Sequence, residues 1–159
     1  MQELRFTGLD PIVVRDTLAA GVDHAGNPIE PFVDDDGGWP LRCCLGDSAP
    51  GDEIAIVAWS PFGWTGAYAE TGPVVLHARG CPGPVRDDTL PADLDRRAMT
   101  LRPYGRDRRI SYGAVRHVPA GESLTAHLAE MLTDDDIEMV HGRNVTGGCF
   151  SFTAERRTS

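Results

Sequence analysis

Lysine is absent from the 159 residues, and all 15 strongly basic side chains are arginine. Without that amine there is no Walker A phosphate loop, no lysine Schiff base and no covalent pyridoxal phosphate attachment. Apolar residues never run for the roughly 18–20 positions needed to cross a bilayer, so no membrane partner is expected. Positive charge is in deficit as well. The net charge is −9, whereas nucleic-acid binding needs a basic footprint, so no nucleic acid is expected. The opening MQELRFTGLDP lacks the basic start and apolar stretch of a signal peptide, and a cytoplasmic location is expected. Cysteine is scarce. Cys43, Cys44, Cys81 and Cys149 are too few and too unevenly placed for a secreted disulfide scaffold. In a reducing cytosol they are expected as free thiols, metal ligands or a nucleophile, and the sequon Asn144-Val145-Thr146 is idle.

What is present describes one ordinary globular domain, 1–159, with 41% hydrophobic and 25% charged residues. The bias to Arg, Ala, Gly, Asp and Pro is that of a high-GC bacterial coding sequence. Leu4-Arg5-Phe6 reads as a short strand. Asp10-Pro11 reads as an N-cap followed by Pro at the first helical position, so a helix should run from about 11 to 20 and stop at Gly21. Residues 21–40 hold Asp34-Asp35-Asp36 among four glycines and three prolines, a long loop or lid. Strands are expected at Leu41–Leu45, Ile54–Trp59, Pro73–His77, Met99–Tyr104, Ile110–Val118, Ile137–Arg143 and Cys149–Ala154. Gly105–Arg109 is a hairpin turn between two of them. Leu124, Leu128, Met131 and Leu132 recur at helical spacing and place a second helix over about 122–133. About seven strands and two helices make an α+β fold with a mostly antiparallel sheet.

Three constellations could carry chemistry. The first is His141 with Cys149, in HGRNVTGGCF. If Gly142 faces Gly148 across an antiparallel hairpin, His141 faces Cys149 and the imidazole can favour a nucleophilic thiolate. A slip of one residue separates them, and then Gly147-Gly148 serve a turn and Cys149 fills core space. The second is Cys43-Cys44 with His77 and Cys81. Adjacent cysteines in a strand point to opposite faces, so Cys44, His77, Cys81 and one further ligand would make a tetrahedral zinc site. The bland reading is a buried Cys44 near Cys81 with His77 hydrogen-bonded. The third is the arginine-rich stretch from Arg96 to Arg116. Strand alternation puts Arg102 and Tyr104 on one side, where an arginine could grip a carboxylate or phosphate. A solvated hairpin is the alternative. Trp59, Phe62, Trp64 and Tyr68 fall on or beside a Pro/Gly-rich loop and could wall an apolar pocket or pack the sheet end. His127 flanks its helix stripe as a half-buried, satisfied histidine. Gly46–Gly51 has the wrong spacing for a nucleophile elbow, and Asp34–Gly37 lacks the alternating ligands of an EF-hand loop.

Motif order carries a resemblance. The steps are Arg42, Cys44 and Leu45; then Gly72, Pro73, Val74, His77, Ala78 and Cys81; then Arg102 and Tyr104; then Gly148 and Cys149. In this order they resemble a bacterial family known only as domain of unknown function 1203, over about 39–156. Members often carry histidine where this chain has Cys43. The resemblance implies that these thiols and imidazoles belong to a shared pattern, and it brings no activity, cofactor or fold. Residues 1–38 show little match.

Two functions are therefore expected to compete. One is a small cytosolic enzyme acting on an organic small molecule, such as an isomerase or cyclase of bacterial secondary metabolism. Cys149, His141 or His77 would supply acid–base or nucleophilic chemistry. Arg42, Arg102 and Tyr104 would orient an anionic group, and Trp59, Trp64 and Tyr68 would hold the rest. This reading needs no cofactor and allows a homodimer. The other is a non-catalytic small-molecule or metal-binding protein, with zinc as the metal alternative.

Overall fold

The computed structural model describes residues 2–84 and 86–158. Among them are eight strands in two antiparallel sheets and three α-helices, an α+β fold as expected. The strands fall into two compact units rather than one sheet. One unit is residues 8–85, and the other is residues 1–7 with 86–159.

The 8–85 unit contains helix α1 (Pro11–Ala20) and a three-stranded sheet. Its strands are β2 (Phe32–Asp34), β3 (Asp52–Trp59) and β4 (Gly72–His77), in the order β2-β3-β4. Helix α1 begins and ends where its caps predict. Asp10 Oδ1 accepts from Ile12 N at 2.9 Å, Pro11 occupies the first turn, and Gly21 closes the helix at φ 71°. The 21–40 segment is tied down at two aspartates and contributes β2. Asp23 accepts from the backbone N–H groups of Ala25, Asn27 and Ala58, each at 2.9 Å. Asp34 accepts from Gly37 N at 3.0 Å and from the Ser48 hydroxyl. His24 stacks on Trp59 with ring centroids 4.0 Å apart.

The other unit is a five-stranded sheet in the order β1-β8-β7-β5-β6. Its strands are β1 (Leu4–Thr7), β5 (Met99–Gly105), β6 (Arg116–Val118), β7 (Ile137–Asn144) and β8 (Phe150–Arg156). Helices α2 (Ala92–Asp95) and α3 (Leu124–Met131) complete it. Ser123 caps α3 by accepting from Ala126 N at 3.2 Å. Leu124, Leu128, Leu101, Val140, Phe6 and Phe152 are fully buried in this unit.

Two expected strands are not continuous strands. Leu41–Leu45 is a turn, because Leu45 adopts a left-handed φ of 64° and Leu41 N donates to Gly46 O at 2.8 Å. Of Ile110–Val118, only Arg116–Val118 pairs as a strand. Pro103 on β5 accepts from Ser111 N at 2.9 Å but has no N–H to return, so the ladder is half-made there. The chain instead takes a 3₁₀ turn at Tyr112–Ala114.

Two outcomes follow from these contacts. A Cβ at Gly142 would run into the Phe152 ring at three carbon atoms, so Gly142→Ala should cost about 1–3 kcal/mol by overpacking, read as a lower urea midpoint. Asp23 is held down from 3.8 to about 2, chiefly by the Ala58 N–H, with Asn27 and Ala25 adding to it against the cost of burial. Its folded pKa lies below its unfolded one, so its contribution is complete above about pH 4 and is lost as pH falls through about 2. Thermal melts of Asp23→Asn should show lower stability at neutral pH and a shallower loss between about pH 4 and 2 than the parent chain.

Candidate metal centre

The turn that replaces the expected 41–45 strand changes what two adjacent cysteines can do. In a strand Cys43 and Cys44 would diverge; around this turn both sulfurs face the same corner. The turn is fixed by main-chain bonds. Arg42 N donates to Val75 O on β4 at 2.9 Å, and Leu9 N donates to Arg42 O at 2.9 Å. Gly8 makes that second bond feasible, because a Cβ there would land on the Arg42 carbonyl. Leu45 stores roughly 1–2 kcal/mol of left-handed strain. Its side chain is 5% exposed, and burial worth about 1.5–3 kcal/mol offsets that strain.

The other two donors come from the end of β4. His77 is its last residue, and Cys81 follows after the turn at Gly80, φ 95°. The ligand atoms of Cys43, Cys44, His77 and Cys81 all lie within 4.8 Å of one another. A tetrahedral zinc with Zn–S bonds of about 2.3 Å needs sulfurs about 3.8 Å apart, so a modest contraction would seat the ion. His77 Nδ1 is 3.5 Å from Cys43 Sγ, while Nε2 is 3.4 Å from Asp52 Oδ2 on β3. A carboxylate on the far ring nitrogen keeps the proton there and leaves Nδ1 free as a lone-pair donor, the arrangement that orients metal-binding histidines. Backbone N–H groups support the sulfurs too. His77 N donates to Cys43 Sγ at 3.4 Å, and the amides of Gly46 and Gly83 hydrogen-bond to Cys44 and Cys81.

The thiols divide the proton burden unequally. Cys44 is lowered to about 5, first by the hydrogen bond from the Cys43 thiol, with the Gly46 amide, Cys81 and the His77 imidazole adding to it against desolvation. The same Cys44 contact, with burial, pushes Cys43 up. Desolvation raises Cys81. One thiolate stabilised by its neighbours is thus the favoured metal-free arrangement.

The remaining candidate residues are distributed as follows. The β7–β8 register places His141 opposite Thr153, and a bulge at Gly142/Arg143 pairs Gly142 with Phe152 and Arg143 with Phe150. Cys149 O accepts from Asn144 N at 2.9 Å at the mouth of the turn. His141 and Cys149 are therefore not cross-strand neighbours: the turn lies between Asn144 and Cys149 rather than between Gly142 and Gly148, which moves the pairing by three residues, and the bulge at Ser151 adds one more. His141 is fully buried beside Tyr104 and Phe150, and its pKa is held well below the ordinary value by burial, then by the charges of Arg143 and Arg102. Arg102 lies opposite it on β5. Arg42 is buried within its turn and donates to Pro40 O at 3.1 Å. Trp59 is core, at 2% exposure. Trp64 packs on Phe62 with centroids 4.7 Å apart, and Tyr68 is half-buried on the same loop.

Of the expected metal set, the structure brings together Cys44, His77 and Cys81, and it supplies Cys43 as the fourth donor. A model of the family described as "Protein of unknown function (DUF1203)" matches residues 38–156. The chain belongs to this family. No curated protein and no solved structure matches it. All four donors and Asp52 lie inside the DUF1203 span, whereas α1 lies outside it.

Cys43 and Asp52 are the members that sequence reasoning missed. A signal for the turn was present: Cys44-Leu45-Gly46 and Cys81-Pro82-Gly83 are the same Cys-x-Gly step, and in each the glycine amide reaches back to the sulfur. Asp52 had none, since its place beside His77 follows from the β3–β4 register that pairs Ile54 with His77. Gly8→Ala would push the turn away from its seat. It should cost about 1–3 kcal/mol in urea unfolding, with a parallel rise in the reactivity of Cys43 toward a thiol reagent under native conditions.

Proposed function

We propose that this protein is a zinc-binding protein in which Cys43, Cys44, His77 and Cys81 hold one ion that staples the 41–46 turn to the end of β4. The observation that carries this reading is four donor atoms within 4.8 Å of one another, with Asp52 on the far nitrogen of the histidine. Three thiols and an imidazole are the donor chemistry of zinc rather than of magnesium or calcium. Four protein ligands fill a tetrahedral shell, which suits a structural role better than a catalytic one. A reducing cytoplasm is the compartment that would keep the thiols available.

The rival reading, a small-molecule enzyme of bacterial biosynthesis, is supported by a different feature. A cavity of about 600 Å³ lies between α1 and the 78–81 turn, and Ile12, Arg15, Leu18, Arg79 and Cys81 are among its walls. A small organic ligand would fit that volume.

The test is cobalt titration of the reduced chain. One Co²⁺ per chain is expected, with the intense visible absorption of tetrahedral sulfur ligation, displaced by one Zn²⁺. Asp52→Asn should weaken the metal about 10–100-fold while leaving that spectrum intact. Cys43→Ser should weaken it and lower the sulfur charge-transfer intensity. Octahedral, weakly absorbing cobalt, or full affinity in Cys43→Ser, would overturn the reading.

A further inference from the structure

The cavity and the metal centre share one residue, and that shared residue sets a chemical asymmetry. Cys43 is 2% exposed, accepts from the main-chain N–H of His77 at 3.4 Å and lies 3.5 Å from the Nδ1 of its ring. Cys81 is half-buried and forms part of the wall of the roughly 600 Å³ cavity, beside Ala78, Arg79 and Gly80 and across from Leu18 and Ala19 of α1. A small solute in this cavity meets the centre at the Cys81 corner. Two further sulfurs lie within 4.8 Å of it, close enough for side-chain rotation to reach bonding distance once no metal holds them apart.

Resting on the zinc reading above, we propose that Cys81 is an oxidation site for small hydroperoxides, and that its oxidation forms a disulfide with Cys43 or Cys44 and releases the metal. Balance is straightforward. The Cys81 thiolate attacks the terminal peroxide oxygen and the O–O bond breaks. Sulfur is oxidised to a sulfenic acid, and the alkoxide or hydroxide leaves and takes a proton. The neighbouring thiolate then attacks the sulfenic sulfur, an S–S bond forms, and hydroxide leaves and is protonated to water. Two thiolates, one hydroperoxide and two protons give one disulfide, one alcohol (or water) and one water. The zinc stays divalent throughout. It loses two of its four ligands and dissociates. An alkylating electrophile would react at the same corner, but it would make no use of the second sulfur. The adjacent thiols are what single out an oxidant.

The experiment treats the reduced, zinc-loaded full chain with one equivalent of hydrogen peroxide under anaerobic conditions. Zinc is read with a chromogenic chelator, and disulfides are read by peptide mapping. The expected result is release of one zinc per chain, in step with a disulfide from Cys81 to Cys43 or Cys44. Dithiothreitol with added zinc should restore the starting state. Ala19→Trp, a surface substitution that fills the cavity without replacing a ligand, should keep its zinc and slow the reaction severalfold. Zinc content before peroxide separates the two readings. A reduced chain that carries none overturns the metal reading and the release with it. A loaded chain that keeps its zinc, or one that loses it with Cys81 still a free thiol, overturns the oxidation site alone. Equal rates in Ala19→Trp and the parent chain overturn the cavity as the route of access.

Discussion

The convergence of Cys43 and Cys44 with His77 and Cys81 depends on the reversal of the chain between Leu41 and Gly46. Two adjacent side chains reach one point only where the backbone turns, and here the turn is anchored on two sides. Arg42 donates its N–H to β4 through Val75, and its carbonyl accepts from Leu9. The first bond places Cys43 and Cys44 beside the strand that ends in His77. The second requires an approach so close that residue 8 must be glycine. The left-handed Leu45 is a strained residue, and it persists because its buried side chain returns more than the strain costs. Local strain next to clustered donors is a pattern found where a fold holds a site in place.

How much of this could be read from the amino-acid order depends on whether the deciding contact was local. Helix α1 was legible to the residue because Asp10 and Pro11 write its start and Gly21 writes its end, each by contacts within a single turn. Strands β3, β4, β5 and β7 announce themselves by β-branched and apolar runs. Leu41–Leu45 misled because Leu-Arg-Cys-Cys-Leu has the composition of a strand, and nothing in Leu45 itself marks a positive φ. Tertiary packing decided it. Ile110–Val118 misled because the reason for its break sits on another strand, in the missing N–H of Pro103. The His141–Cys149 pairing failed chiefly on the position of the turn, which lies between Asn144 and Cys149 and moves each partner by three residues. Ser151 bulges, and every pairing beyond it moves by one. Registers of this kind are fixed by ring packing such as Phe152 over Gly142, which no local pattern records.

The candidate site was legible in part for the same reason. His77 and Cys81 are four residues apart at a strand end, so their convergence is local. Cys44 joins them by a long-range hydrogen bond, and a pattern of ligand types is enough to suggest it. Cys43 was set aside by a correct rule, strand alternation, applied to a segment that is not a strand. Asp52 is the most distant case. It contributes only through His77, and its role appears once the antiparallel register sets β3 beside β4.

The two histidines that looked alike in sequence have opposite surroundings, and this separates their chemistry. His77 faces sulfur on one nitrogen and a carboxylate on the other, an environment that favours metal binding and fixes the tautomer. His141 is enclosed by Tyr104, Phe150 and two arginines, and it accepts no proton near neutral pH. A neutral, enclosed imidazole beside positive charge is a poor partner for generating a thiolate, even had the hairpin register brought Cys149 opposite it. The thiol chemistry of the chain therefore concentrates in the 8–85 unit. There the buried Cys43 and the half-open Cys81 divide the centre into an anchored side and a reachable one. Of the four donors only Cys43 is fully enclosed, and Cys81 is the one that lies on the groove beside α1.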